Sequence, residues 1–298
     1  MLALHLGAHQ ITVMADALTY APLQSRALIA LSGPDWRDFL QGLITQDVET
    51  MAPGEARFGA LLTPQGRLLY DLFVVEHEAG AWLDVEAAWR EAILQRLTMY
   101  RLRAKVEIAA SDLPVSILFS ADSPAGGGSA WVPAFTGMSG WVRDPRLPEL
   151  GWRGYGAPPP AGAVPADEAE RERQKLRLGV PGPQDWGSDK TYPIEANFDL
   201  LNGIDFKKGC FVGQETTSRM KRRGQIKTRM LPIDFDGPAP APGAEVLAGE
   251  LRAGVVTSGG EGRAIALLRL DRISGPLTVD GRTVRPATPA WFPEPASV

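Results

Sequence analysis

The sequence predicts an α+β protein that ends in a small all-β unit, and three observations carry that prediction. Strand-like apolar runs alternate with helical stretches and hairpin turns over the first part of the chain. From Ile226 onward only short strand-like runs remain, separated by Gly/Pro turns, as in a small barrel or sandwich. Between these regions, residues 180–204 are rich in Pro, Gly, Asp and Asn, a stretch too long for an idle connection. The expected division is 1–225, holding two α+β subdomains, and 226–298, a C-terminal β-barrel.

Each element has a local signature. "RALIALSGPDWRDFLQGLITQDV" reads as a strand and then a helix entered through Ser32-Gly33-Pro34, with proline at the first helical position. "FGALLTPQGRLLYDLFVVE" is two apolar runs around a Thr63-Pro64-Gln65-Gly66 turn, a hairpin. "AWLDVE" is a strand, "AAWREAILQRLTMY" an amphipathic helix and "RAKVEIA" another strand. "VSILFS" and "GWRGYG" add strands around a glycine run at 126–128, and "ADEAERERQKLRLG" is a charged helix ending near Gly179. "GQETTSRMKRRG" is a helix beginning near Gly213, with cations in its last turn and Gly224 after it. The barrel runs are "IKTRMLPIDFDG", "GAEVLAG", "AGVVTSGG", "AIALLRL" and "LTVDGRTVRP".

Composition narrows the function classes. The 298 residues hold 35 acids and 31 Lys/Arg, a net charge of −4, which argues against general nucleic-acid or membrane-surface binding. One cysteine makes no internal disulfide, no secretory signal is visible, and no apolar run reaches membrane-spanning length, so a cytoplasmic protein is expected. Charge is uneven, however. Residues 207–229 hold eight Lys/Arg against Glu215 alone, a local +7 that leaves −11 for the remainder. Such a patch suggests a small anionic ligand rather than a long polyanion, with a solvated helix face as the alternative.

The lone cysteine sits inside that patch, in "DFKKGCFVGQETTSRMKRRG". Four readings are open: catalytic nucleophile, metal ligand, part of an anion-binding loop, or a buried thiol of no chemical consequence. Lys207, Lys208 and the following helix N-terminus favour a thiolate at Cys210, and Gly209 permits unusual backbone angles. Cations in the last turn suit the helix, but Lys207 and Lys208 lie at its other end and need a different partner, most simply an anion. His5 and His9 have i,i+4 spacing without a neighbouring acid or cysteine, so no metal site is expected. Phosphate-binding glycine loops and Gly-x-Ser-x-Gly elbows are missing from the sequence.

Lys208, Gly209, Cys210, Phe211, Gly213, Gln214 and Glu215 form the hallmark of the YgfZ-type proteins, folate-binding relatives of the glycine-cleavage T-protein (aminomethyltransferase), and the chain resembles that family. The likeness extends through "PIEANFDLLNGIDFKKGCFVGQETTSRMKRRG" to "FLQGLITQDV", "ALLTPQGRLLYDLFVV" and "GVVTS", nearly the whole chain. It implies three subdomains around a central cavity that binds tetrahydrofolate, and a role with iron–sulfur proteins or their assembly machinery. Cys210 is the expected reactive residue, and it is expected to be reachable from that cavity. Lys207, Lys208 and Arg219 are expected to face folate carboxylates, while Glu195 and Asp71 face its pterin. Two departures set the chain apart: T-proteins carry two adjacent acids where Tyr70 and Asp71 stand, and relatives often carry Glu at the position of Arg177. An accessory role is therefore expected over aminomethyl or methyl transfer.

Overall fold

Two five-stranded sheets and a closed barrel make up the computed structural model, which describes residues 18–52, 54–120, 140–224 and 226–293. The chain enters through β1 (Leu18–Pro22), which joins the second sheet, and the first unit then contains β2 (Arg26–Ser32), α1 (Trp36–Gln41), β3 (Ala56–Leu62), β4 (Leu68–His77), β5 (Gly80–Glu86), α2 (Arg90–Arg101) and β6 (Glu107–Ser111). Strands β3-β4-β5-β2-β6 pair antiparallel in that order. Helices α1 and α2 cover one face through Phe39, Leu40, Ile93 and Leu97, the helical spacing of the sequence. Pro34 lies in the turn before α1, outside the helix. Gly33 at φ +98° lets the chain pass so close to Lys105 that a Cβ there would meet its carbonyl at 2.3 Å, and helix begins only after Asp35. Strand β6 starts at Glu107, later than the expected run.

The second sheet has order β10-β1-β7-β9-β8, using β7 (Val115–Ser120), β8 (Trp141–Arg143), β9 (Trp152–Tyr155) and the two-residue β10 (Val164–Pro165). The charged helix follows as α3 (Glu168–Leu178). Asp167 caps it by accepting the Glu170 N–H at 2.9 Å, and Gly179 ends it at φ +68°. After the short α4 (Pro183–Trp186), residues 187–213 are turns, and α5 is Gln214–Arg223. The barrel closes in the order β11-β14-β13-β12-β15-β16, from β11 (Thr228–Asp234), β12 (Glu245–Ala248), β13 (Leu251–Gly260), β14 (Arg263–Arg269), β15 (Leu277–Val279) and β16 (Arg282–Pro286). The glycine run at 126–128, His5 and His9 lie outside the described residues.

Strand alternation decides what the first sheet shows to the second. On β4, Tyr70, Leu72 and Val74 join the α1/α2 side, so Asp71, Phe73 and Val75 face the opposite way. Asp84 of β5 and Arg26 of β2 share that second face. The Asp84 carboxylate accepts from Arg26 Nε (2.7 Å), from Arg153 Nε (2.9 Å) and from Tyr155 (3.0 Å), which joins the two sheets. Asp144 accepts from Arg146 (2.7 and 2.9 Å) and from Arg171 of α3 (3.3 Å). The guanidiniums of Arg153 and Arg146 lie over the Phe73 ring, 3.9 and 4.9 Å from its centre.

Burial by itself would raise the Asp84 carboxyl, but Arg153 and Arg26 hold it below its ordinary 3.8. Because the folded value is the lower one, this contribution to stability is complete above about pH 4 and is lost as pH falls through the folded value. Asp84→Ala strands two buried guanidiniums and should cost about 3–5 kcal/mol in urea unfolding at pH 7, with a difference from the parent that shrinks as pH falls below about 4. A loss that stays constant down to the acid unfolding of the parent would contradict the ionic account.

Candidate functional site

A cavity of about 500 Å³ opens where the three units meet. Arg26, Asp71 and Phe73 come from the first sheet, Arg153 from the second, Glu172 and Lys175 from α3, and Ser258 to Gly260 from the barrel. Arg26 Nη1 donates to Asp71 Oδ2 at 3.0 Å, and Oδ1 makes no hydrogen bond among the described residues. Tyr70 points away and packs 5.8 Å from Trp89, so the departure at that position lies on the other side of the sheet. Asp185 of α4 also lines the cavity. Its carboxylate accepts from Gly182 N (2.7 Å), Thr257 (2.7 Å) and Ser258 (2.6 Å), while burial pushes its pKa up against those bonds.

Of the residues singled out in the sequence, only Asp71 lines this cavity. Lys208 is buried, and its ammonium donates to three backbone carbonyls: Gln41 (2.8 Å), Ile44 (2.8 Å) and Gln46 (2.7 Å). All three ammonium protons are therefore used, which corrects the expectation of a carboxylate clamp. The partner is anionic only in the sense of carbonyl dipoles, beginning with the C-terminal residue of α1. Burial brings the Lys208 pKa down to about 8, with Asp47 and Asp205 opposing. Lys207 is exposed, and its N–H is fixed by Asp205 at 2.7 Å. Arg219 pairs with Glu215 one turn earlier on the exposed face of α5. Glu195 accepts from Tyr192 N at 3.0 Å and from Thr228, tying the 187–213 segment to the barrel.

The loop that bears Cys210 is built by its neighbours. Lys208 enters its carbonyl cage and Phe211 enters the central apolar core, with the ammonium 5.3 Å from the Phe211 ring. The two residues between them, Gly209 and Cys210, face solvent. This excludes the buried-thiol reading. Gly209 does not occupy the left-handed region, and a Cβ there would meet open space, so its expected conformational role is not what the fold uses. Gly213 carries that burden instead. At φ +83° it lies so close to the β3–β4 turn that a Cβ would sit 2.6 Å from the Thr63 carbonyl. Val212 N donates to Gly42 O at 3.2 Å, Asp205 N to Thr45 O at 3.0 Å, and Gln46 Nε2 to Asn202 O at 2.6 Å. Cys210 is thus held on a supported loop, and it is not among the cavity-lining residues, contrary to the expected access from that cavity. Among the described residues no cluster of His, Cys, Asp and Glu could hold a metal ion.

The arginine–aspartate floor of the cavity was not identified from sequence. One signal was present: an acid inside the apolar strand "AWLDVE" requires a buried cation. Lys208→Met keeps the stem but removes every donor to three buried carbonyls. With about 1.5–3 kcal/mol for a hydrogen bond to a charged group, a loss of at least 3 kcal/mol in urea unfolding is expected. A change below 1 kcal/mol would mean that the cage is not structural.

The CAF17, C-terminal beta-barrel domain family matches residues 227–294, the barrel strands and their flanks. The mitochondrial iron–sulfur cluster assembly factor IBA57 of Homo sapiens is 32% identical over 306 residues, covering 91% of this chain and 84% of its own. The Mus musculus protein is 30% identical, with 94% and 87% covered. Among solved structures, glycine cleavage system aminomethyltransferase T from Bartonella henselae superposes with a TM-score of 0.71 at 18% identity, covering 90% of this chain and 84% of that one, a likeness of fold. The mitochondrial relatives overturn the expected cytoplasmic location. A single reduced cysteine is as compatible with one reducing compartment as with another, so cysteine usage could not separate them. At this identity and coverage, the chain belongs to the family of the iron–sulfur cluster assembly factor IBA57.

Proposed function

We propose that this protein is a tetrahydrofolate-binding accessory factor for iron–sulfur cluster assembly or repair, acting through Cys210 on iron–sulfur proteins or their assembly machinery. The observation that carries the reading is the exposed Cys210 between two anchored neighbours, Lys208 and Phe211, in a chain whose relatives bear the name iron–sulfur cluster assembly factor. Such a thiol, as thiolate, is a ligand for iron and a nucleophile toward disulfides.

Tetrahydrofolate fits the cavity in size and chemistry. About 500 Å³ falls within the ~300–1,000 Å³ of small-molecule pockets. Leu176 and Pro183 offer an apolar surface to a flat ring, and Asp71 Oδ1 is available to accept from a pterin edge. Lys175 and Arg173 would face the carboxylate tail, in place of Lys207, Lys208 and Arg219. The folate would supply one-carbon or redox chemistry when bound, while this chain binds and orients it. Folate-dependent aminomethyl or methyl transfer is the weaker reading. Tyr70 lies on the wrong face of β4, and Asp71 is tied to Arg26, a guanidinium that accepts no proton.

Two variants separate the parts. Asp71→Asn should weaken tetrahydrofolate binding about tenfold, equivalent to ~1.5 kcal/mol for a charged hydrogen bond, as read by tryptophan quenching. Cys210→Ser should leave that affinity unchanged and fail to restore iron–sulfur enzyme activity in cells lacking the native protein. Full restoration by Cys210→Ser would refute the role of the thiol, and unaltered binding by Asp71→Asn would remove folate from this cavity.

A further inference from the structure

Two neighbouring hydroxyls meet one buried carboxyl oxygen on the barrel side of the cavity. Thr257 Oγ1 lies 2.7 Å and Ser258 Oγ 2.6 Å from Asp185 Oδ1, while Gly182 N donates to Oδ2 at 2.7 Å. Consecutive residues of a strand point to opposite faces, so a regular β13 could offer Asp185 only one of the two. The register of β13 against β14 shifts between Val256 and Ser258, and Thr257 is the extra residue of that bulge. The bulge re-aims the chain so that both hydroxyls reach the same acid.

The protons available decide what this cluster can do. Each hydroxyl has one to give. Thr257 Oγ1 stands within reach of two acceptors, Asp185 Oδ1 and the Ile265 carbonyl at 3.0 Å. With Asp185 ionised, both hydroxyls donate to Oδ1, and Ser258, which lines the cavity, can only accept from a ligand. With Asp185 neutral, its proton passes to Ser258 Oγ, and the Ser258 proton is free to point into the cavity. Thr257 then donates to Ile265 O, so no heavy atom has to move between the two states. The charge on Asp185 sets whether this wall accepts or donates.

The surroundings determine which ligand group exploits the switch. Burial pushes the Asp185 carboxyl up, opposed by its three hydrogen bonds and by Lys175 of α3. Lys175 is shared with both oxygens of Glu172 (3.0 and 2.9 Å). Asp71 and Glu86 face the cavity from the first sheet, whereas Arg146 and Arg153 of the second are paired with Asp144 and Asp84. From β13 and β14 only Ser258, Gly259, Gly260 and Ile265 line it, none of them charged. An anionic oxygen arriving at Ser258 needs a donor there and repels a second negative charge at Asp185. Both effects favour the neutral acid.

We propose that Ser258 and Asp185 form a proton-linked subsite for an anionic oxygen of the cavity ligand, which binds with uptake of one proton from solvent at Asp185. The choice of ligand rests on the folate reading above, under which that oxygen belongs to the carboxylate tail beside Lys175. Calorimetric titration of the full chain with tetrahydrofolate, in buffers of different ionisation enthalpy from pH 6 to 9, counts the proton. The parent should take up as much as one proton and lose affinity as pH rises, by up to about tenfold per unit, the limit for one linked proton. Asp185→Asn, neutral at every pH and similar in shape, should bind without uptake and with one Kd across the range. Ser258→Ala is the second variant, which does not disturb the acid itself. It should weaken binding about tenfold at pH 6 and likewise remove the pH dependence. A tetrahydropterin without the tail should bind the parent with no uptake. A parent that binds tetrahydrofolate equally well from pH 6 to 9, uptake that persists in either variant, or equal uptake with the tailless pterin would each overturn the subsite alone. Tetrahydrofolate that fails to bind the parent at any pH would sink the folate reading, and the ligand given to this subsite with it.

Discussion

One ammonium group organises the part of this protein that faces its surroundings. Lys208 places its three protons on the carbonyls of Gln41, Ile44 and Gln46, just where α1 ends and leaves carbonyls without helical partners. A helix of six residues has little stability of its own, and a buried cation at its negative end both satisfies and fixes it. The same contact holds the Cys210 loop from beneath. Gln41 in turn donates to Asp47 at 2.9 Å and accepts from Val48 N at 2.9 Å, and Thr45 bridges Ala60 N and Gly203 O. Segments 41–48, 60–66 and 202–214 become one assembly, held mainly by backbone groups.

This arrangement divides the chemistry between two places. The cavity is enclosed by groups that fix one another: Asp84 and Asp144 each engage more than one guanidinium, and Phe73 lies beneath them. Such a network is costly to desolvate, and its contribution is to hold the two sheets and α3 in one relation around a ligand space. The thiol stands outside, on the surface. A ligand in the cavity would therefore influence Cys210 through the rigidity of the shared core, where Phe58, Phe198 and Phe211 pack together, and not by direct contact.

Much of the fold was legible because its signals are local. The turn at 63–66, the caps of α3 at Asp167 and Gly179, and the Gly/Pro-punctuated barrel follow from residues a few positions apart. The site was less legible, because its determinants are distant in sequence. Lys208 reads as an anion ligand until the carbonyls more than 160 residues away are known to surround it. Arg153 and Asp84, 69 residues apart, carry no mutual signal beyond an acid within an apolar strand. Gly209 and Gly213 show a related limit: the motif contains both, and only the approach of Thr63 reveals which of them the backbone requires.

The account turns on a thiol that is open to solvent while the loop beneath it stays closed. Hydrogen exchange at the amides of Asp205, Val212 and Gln214, followed before and after alkylation of Cys210 in the native protein, measures this directly. The account predicts complete alkylation under native conditions, with all three amides protected to the same degree in both forms. Alkylation that proceeds only as fast as those amides exchange, or that abolishes their protection, would mean that the sulfur is reached by opening the loop, and the caged lysine would not be what presents it.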